Sequence, residues 1–189
     1  MTLTEALGLV VPHLRDEVCV HANGYISRAG HAVRDTNRCF YMIGSMGLAS
    51  SIGLGLALAE PDRSILVLDG DGNVLMNPGA LCSIAAARPA NLRHLCFDNG
   101  AHASTGGQRT ISDRVRLEDL ARAAGYRAAD RVESEAQLEA ALPGFLARPG
   151  PSFLLVRIAL GPSGPPGVRI PHTPEQMTAR LRRALGHPS

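Results

Sequence analysis

The sequence contains no tryptophan, no lysine, and only three tyrosines and four phenylalanines. With so few aromatic side chains, it lacks the stacking platform on which single-strand nucleic-acid binders hold bases. Arginine supplies all 19 basic residues against 17 acidic ones, and the net charge of +2 provides no basic footprint for a phosphate backbone. We therefore expect no nucleic-acid partner.

Long apolar runs are missing too. None approaches the roughly 18–20 residues that span a membrane, and residues 1–20 lack the basic segment and apolar core of a signal peptide. We expect no membrane partner and a cytoplasmic location. The histidines outside the motifs described below show no ligand spacing, so each is expected to be a surface or packing residue: His13, His21, His31, His94, His172 and His187.

No pair of the four cysteines has Cys-x-x-Cys spacing. Cys19, Cys82 and Cys96 lie within apolar segments, and the fourth is Cys39. This distribution favours reduced, buried thiols over disulfides or zinc ligands.

At 189 residues and 45% hydrophobic content, the chain fits one well-cored domain. Short apolar runs predict strands at 18–20, 64–68, 92–97 and 153–158. Amphipathic or capped segments predict helices at 3–16, 78–87 and Leu117–Ala124, and after Ser134 and Thr173. Residues 46–59 are almost entirely small or apolar, which predicts a helix buried on most sides. The alternation predicts an α/β fold, a single three-layer domain with a mostly parallel sheet flanked by helices. We assign 1–189 to this domain, with 161–189 as a connector and C-terminal helix.

Polar residues follow two of the predicted strands. Residues 69–73 read Asp-Gly-Asp-Gly-Asn, and residues 98–100 read Asp-Asn-Gly. Because ligands of open α/β sheets bind outside the carboxyl ends of the strands, we expect Asp71 and Asn99 to converge on one hard cation that holds a phosphate. An Asp alone also ends many strands in Gly-rich turns, and Asp69 is expected to brace this turn by hydrogen bonding.

Three motifs in family order resemble the diphosphate-binding domain of thiamine-diphosphate enzymes: residues 41–51, 69–73 and 98–100. More narrowly, residues 89–92 and 102–108 are similar to sulfopyruvate and phosphonopyruvate decarboxylases. Residues 23–28 are closer to the separate beta subunit of the sulfopyruvate enzyme. The resemblance covers roughly residues 18–180, which is nearly the whole chain.

The resemblance implies thiamine diphosphate and Mg²⁺ as cofactors. Asp71, the Asn99 side-chain oxygen and the Ala101 carbonyl would bind Mg²⁺, which takes an octahedron of oxygen ligands. Gly72 and Asn73 would direct backbone N–H groups to the phosphates. The other implied cofactor contacts are Gly44 through its carbonyl, Ser45 at a phosphate, Met46 as an apolar wedge beneath the cofactor, Gly70, and His102.

Polar residues after the second motif are candidates for substrate contact: His102, Ser104, Thr105 and Gln108. An equally open alternative is that Ser104 and Thr105 cap the next turn and His102 is solvated. Arg28 or Arg34 would suit a sulfonate or phosphonate, although most arginines lie on solvated faces.

The family's chemistry also needs a glutamate against the pyrimidine ring of the cofactor, contributed by a second domain. No glutamate of this chain lies in a matching context. The resemblance therefore implies a separate pyrimidine-binding (alpha) subunit, a hetero-oligomer with at least two of each subunit, and no activity of this chain alone. The small residues of helix 47–59 and the stripe Met177, Leu181, Leu185 are candidate partner contacts.

The function that follows is decarboxylation of an anionic 2-oxo acid, with 3-sulfopyruvate giving sulfoacetaldehyde and CO₂ as the first choice. The alternatives are phosphonopyruvate or another 2-oxo acid, because residues 29–32 depart from the family pattern. A cofactor-binding subunit that has lost catalysis is a further alternative, and so is carboligation, which usually needs an additional middle domain.

Overall fold

The computed structural model describes residues 1–161 and 164–187. Part of the predicted connector, residues 162–163, thus lies outside the described residues. The strands are β1 Val18–His21, β2 Cys39–Tyr41, β3 Ile65–Gly70, β4 Leu92–Asp98, β5 Ala101–His102, β6 Gln108–Arg109, β7 Ala128–Val132 and β8 Ser152–Arg157. The α-helices are α1 Leu3–Val10, α2 Tyr25–Val33, α3 Ala49–Ala59, α4 Asp71–Met76, α5 Gly79–Ala87, α6 Leu117–Ala124, α7 Glu135–Ala147 and α8 Pro174–Leu185.

Six strands form one parallel sheet in the order β2-β1-β3-β4-β8-β7. The central strands β3 and β4 are buried along their whole length, as expected when helices cover both faces of a parallel sheet. The remaining strands, β5 and β6, form a short antiparallel hairpin. The predicted α/β class with a mostly parallel sheet is confirmed.

Helices pack on both faces of this sheet. One core contains residues of α1, α2 and α7, and the second contains residues of α3, α5 and α6. Helix α8 lies against the edge strand β2. No helix in the described part of the chain is both long and apolar enough to cross a membrane.

Several expectations about single elements are wrong. The predicted helix at 46–59 begins only at Ala49, and it is not buried on most sides, since Leu58 is 59% exposed. The sequence did not predict α2, β2, α4, β5, β6 or β7, and it ended β3 two residues early, so that Asp69 and Gly70 belong to the strand. Cys82 is exposed on α5, whereas the other three thiols are buried.

Helix α8 does not offer its apolar stripe to a partner. Met177, Leu181 and Leu185 are all buried within the chain's own cores. The helix begins with a complete Thr173 capping box, and Arg180 pairs with Asp35 at 2.9 Å. These residues stabilise the fold of this chain, which corrects their assignment as partner contacts.

Candidate functional site

The carboxyl ends of β3 and β4 meet at one edge of the sheet, because Gly70 is the register partner of Phe97. A cleft opens there. Most of the predicted cofactor and substrate residues line this cleft: Met46, Gly70, Asp71, Gly72, Asn73, Asn99, Ala101, His102, Ser104 and Thr105. The structure therefore brings together residues that are spread over about a third of the sequence.

Asp71 is the first residue of α4 and only 3% exposed. Its Oδ2 accepts a hydrogen bond of 2.5 Å from the Thr110 hydroxyl. Within residues 1–161 and 164–187, no salt bridge reaches this carboxylate. Burial raises the pKa of Asp71, with Asp98 adding repulsion and the Thr110 hydrogen bond opposing the rise. A buried carboxylate without a cationic side chain suits a metal ion, because burying an unpaired charge is costly.

The turn after β4 is held by its own side chains. Asn99 Oδ1 accepts from the Ala101 N–H at 2.9 Å. Asp98 is fully buried, pairs with Arg157 at 2.7 Å, and accepts hydrogen bonds from the Ser112 hydroxyl and the Gly100 N–H. These contacts show that Asp98 holds the turn in place, a role that the sequence alone left open. Asn99 lies at the rim of the cleft.

Gly72 lies where two predicted cofactor residues converge. A Cβ atom built on Gly72 would lie 2.6 Å from Cε1 and Nδ1 of His102 and 3.2 Å from Cε of Met46. A side chain at this position would therefore displace the His102 ring from its present place. This close packing places an imidazole, a thioether and a backbone N–H around one point of the cleft.

The loop between β2 and α3 approaches the cleft from the other side. The Asn73 Oδ1 atom accepts from the Gly47 N–H at 2.6 Å, which ties this loop to α4. Ser45 has φ 56°, in the left-handed region that non-glycine residues rarely occupy and that is enriched at functional sites. Met46 lines the cleft, whereas Gly44 and Ser45 are exposed on the loop outside it.

A buried hydrogen-bond chain supports this arrangement from below. Asp69 accepts from the Asn73 amide at 2.5 Å and from the Gly70 N–H at 2.9 Å, so its predicted bracing role agrees with the geometry. Its Oδ2 lies 3.0 Å from Nε2 of His94, and Nδ1 of that ring lies 3.2 Å from the Tyr126 hydroxyl. Sequence reasoning missed Thr110, Ser112 and Tyr126, and it treated His94 only as a packing residue. The one available signal was a histidine within the apolar strand β4.

We expect Tyr126→Phe to lower the free energy of unfolding by about 1–2 kcal/mol, because it leaves Nδ1 of the fully buried His94 without its partner. Urea unfolding of the metal-free chain measures this. Tyr25→Phe is the matched control, since no described residue hydrogen-bonds to the Tyr25 hydroxyl. Equal stability of the two variants would contradict a supporting role for the chain from Tyr126 to Asp69.

The segment with the four candidate substrate residues folds as the β5–β6 hairpin. His102 lies on Gly72, and Ser104 packs against Gly24, where a Cβ would lie 2.7 Å from the Ser104 Oγ. Thr105 donates to the His102 carbonyl at 3.2 Å or to the Gln108 side chain at 3.1 Å. Thr105 thus closes the hairpin turn, as the alternative interpretation expected. Gln108 is exposed and does not line the cleft.

Neither arginine considered for an anionic substrate lines this cleft. Arg28 lies over the Tyr25 ring at 5.9 Å. Arg34 donates to the carbonyls of Leu14 and Arg15 and lines a different cavity. The sulfonate or phosphonate role considered for Arg34 is therefore wrong for this cleft.

The chain is similar to several known proteins. The family described as thiamine pyrophosphate enzyme, C-terminal TPP binding domain, matches residues 22–156. A sulfopyruvate decarboxylase subunit beta from Methanothermobacter thermautotrophicus is 42% identical over 83% of this chain and 82% of its own length. A phosphonopyruvate decarboxylase from Streptomyces viridochromogenes is 43% identical over 92% of this chain.

The match to the Streptomyces enzyme covers only 43% of that relative, so the present chain spans less than half of its length. Among solved structures, a thiamine diphosphate-dependent 4-hydroxybenzoylformate decarboxylase from Rhodococcus jostii RHA1 superposes with a TM-score of 0.72. It is 20% identical and covers 84% of this chain and 33% of its own. At that identity the likeness establishes the fold alone.

Proposed function

Because the chain belongs to the thiamine pyrophosphate enzyme family, as its C-terminal TPP binding domain, we propose that it is the diphosphate- and Mg²⁺-binding subunit of a 2-oxo acid decarboxylase. One observation carries the proposal: the buried Asp71 carboxylate, without a salt bridge to the described residues, lies in the cleft where all three sequence motifs meet. We assign residues 1–189 to this one domain, and among the described residues α8 adds Met177, Leu181 and Leu185 to its cores.

The positions of Met46, Asp71 and Gly72 at the cleft support the cofactor contacts that the family resemblance implies. Asp71, Asn99 and the Ala101 carbonyl would hold Mg²⁺, and the N–H groups of Gly72 and Asn73 would hold the diphosphate. Met46 would support the cofactor from below. Gly44 and Ser45, exposed on the neighbouring loop, would contact it only when the cofactor extends beyond the cleft. When bound, thiamine diphosphate accepts the electrons released as CO₂ leaves the substrate.

The best substrate is 3-sulfopyruvate, with 3-phosphonopyruvate second. The sulfopyruvate decarboxylase beta subunit that this chain resembles is matched over most of its length, which supports a separate subunit of the same kind. Both acids carry a compact tetrahedral anion, which His102 and Ser104 on the hairpin would face. Thr105 and Gln108 would contact the substrate only if the hydrogen bond between their side chains broke.

A partner subunit would supply the activating glutamate. Apolar side chains flank the Gly44–Gly47 loop and remain exposed on this chain: Ile43 at 56%, Leu48 at 44% and Met76 at 61%. Exposed apolar patches of this kind mark interaction surfaces. We propose that the pyrimidine-binding subunit covers this patch and the exposed side of α3, so that the cofactor lies between the two chains.

The test is decarboxylation of 3-sulfopyruvate and 3-phosphonopyruvate with thiamine diphosphate and Mg²⁺, comparing this chain alone with this chain plus the product of its neighbouring gene. We expect the mixture to be at least about a hundredfold faster, which is the least that a positioned acid–base group contributes. The faster acid identifies the substrate.

The Asp71→Asn variant in the same mixture is the control, and it should abolish turnover. Turnover by the chain alone would contradict the need for a partner. Cofactor binding by an assembled complex without turnover of either acid would favour another 2-oxo acid or a subunit that has lost catalysis.

A further inference from the structure

A second group of metal-ligating side chains lies away from the cofactor cleft, near the edge of the sheet formed by β1 and β2. Cys19 and His21 alternate along β1 and therefore point to the same face. Cys39 on β2 is the register partner of Cys19. The two thiol sulfurs and a ring nitrogen all lie within 4.8 Å of one another.

His21 is the side chain in this group that lacks a partner. It is only 4% exposed, and neither of its ring nitrogens has a hydrogen bond to a described residue. A buried polar atom left without a hydrogen-bond partner destabilises the fold. The ring stacks on Tyr41 with centroids 4.7 Å apart, so the structure holds it in place beside the two thiols.

The His21 ring packs closely against Gly30 of helix α2. A Cβ atom on Gly30 would lie 2.2 Å from Nδ1 of His21, so only glycine fits there.

The chemistry of the group favours a thiophilic ion. Two sulfurs and one imidazole nitrogen are the ligand set of a four-coordinate Zn²⁺ site with one open position. Metal–ligand bonds of about 2.0–2.3 Å in a tetrahedron hold the donor atoms about 3.3–3.8 Å apart. Small side-chain rotations would bring the three donor atoms, now within 4.8 Å of one another, to these distances.

We propose that Cys19, His21 and Cys39 form a binding site for a thiophilic divalent ion such as Zn²⁺, with water as the fourth ligand. A small cavity adjoins the three residues, and it is lined also by Glu17, Arg34 and Thr36. The Thr36 hydroxyl lies 3.3 Å from the Cys39 sulfur and acts as an outer-shell partner. Binding releases the thiol protons and ties β1 to β2. A Cys19–Cys39 disulfide, in contrast, would leave His21 without a partner.

In the experiment, Co²⁺ is titrated into the reduced, metal-free full chain, and the bound Co²⁺ is then displaced with Zn²⁺. We expect thiolate-to-cobalt charge-transfer bands in the near ultraviolet and tetrahedral ligand-field bands in the visible, saturating at one ion per chain. Cys19→Ser and Cys39→Ser should lose the charge-transfer bands or weaken affinity beyond the roughly 10–100-fold that an outer-shell change costs. His21→Gln should shift the visible bands.

Two controls separate this site from the exposed Cys82 thiol and from the Asp71 carboxylate. Cys82→Ser removes the exposed thiol on α5 and should bind Co²⁺ as the unchanged chain does. Asp71→Asn removes the oxygen site and should keep the sulfur bands. Should the serine variants not fold, the sulfur-to-cobalt bands still decide: the unchanged chain and Cys82→Ser should both show them. The proposal would be overturned if the unchanged chain showed no sulfur-to-cobalt bands or if Cys82→Ser lost them. Formation of a Cys19–Cys39 disulfide in place of metal binding would overturn it as well.

Discussion

Replacing Asp71 by Asn should abolish the stabilisation of this chain by Mg²⁺ and thiamine diphosphate. The substitution keeps the size of the side chain and an oxygen that accepts from Thr110, but it removes the charge that would hold the cation. We expect the cofactor affinity to fall on the order of a hundredfold or more, corresponding to about 3 kcal/mol. The measurement is the shift in melting temperature at increasing thiamine diphosphate and saturating Mg²⁺.

The same substitution should have the opposite effect on the metal-free chain. Because burial raises the pKa of Asp71, its ionised form costs folding free energy when no cation is bound. That cost is absent below the unfolded-state pKa and grows as the pH rises towards the folded-state pKa. We therefore expect Asp71→Asn to be more stable than the unchanged chain at neutral pH, and the difference to shrink as the pH falls through that window.

Asp62→Asn is the control for both measurements, because Asp62 is an exposed carboxylate outside the cleft. It should leave the cofactor shift and the pH dependence unchanged. If Asp71→Asn kept the full Mg²⁺-dependent shift, the metal site would have to be assigned to other residues. If it destabilised the metal-free chain, the Asp71 carboxylate would be a structural group in its own right.

The second large effect is expected from Gly72→Ala. The added methyl group would lie 2.6 Å from the His102 ring and 3.2 Å from the Met46 methyl group. The His102 ring can turn away at modest cost, so the fold should survive, but both side chains would be displaced from the cleft. We expect at least a tenfold loss of thiamine diphosphate affinity, about 1.4 kcal/mol, measured by calorimetric titration in the presence of Mg²⁺.

Gly8→Ala on α1 is the matched control, since nothing lies within 4 Å of the added atom. It should leave affinity unchanged and stabilise its helix by roughly 0.5–1 kcal/mol. The double variant Gly72→Ala with His102→Ala should lose less affinity than the two single losses combined, because the steric conflict is gone. Strict additivity would show that Gly72 and His102 do not act on the same point of the cleft.

The sequence was informative about the cleft because the end of a strand can be recognised from neighbouring residues along the chain. A buried parallel strand appears as an apolar run, and the next residues must lie at the ligand-binding edge of the sheet. Asp71 and Asn99 could therefore be placed from the sequence. The side chains that position them could not, because Thr110, Ser112 and Tyr126 reach the site from loops whose approach has no local signal.

Helix α8 shows a different limit. Its stripe of Met177, Leu181 and Leu185 predicts an apolar face correctly, but periodicity does not tell whether that face covers the chain's own core or a partner's. The same holds for Cys82, whose apolar neighbours on α5 face the core while the thiol itself points to solvent. Packing decides such cases, because the area available on the sheet is a property of the whole fold.

The sequence by itself determined the fold class, the two strand ends that carry the proposed metal ligands, and the family to which the chain belongs, because each rests on residue types at short spacing. Only the tertiary structure decided which side chains support the cleft and that Cys19, His21 and Cys39 meet at one point. Those contacts join residues on different strands and helices, and their distances are set by strand register and helix packing rather than by neighbours along the chain.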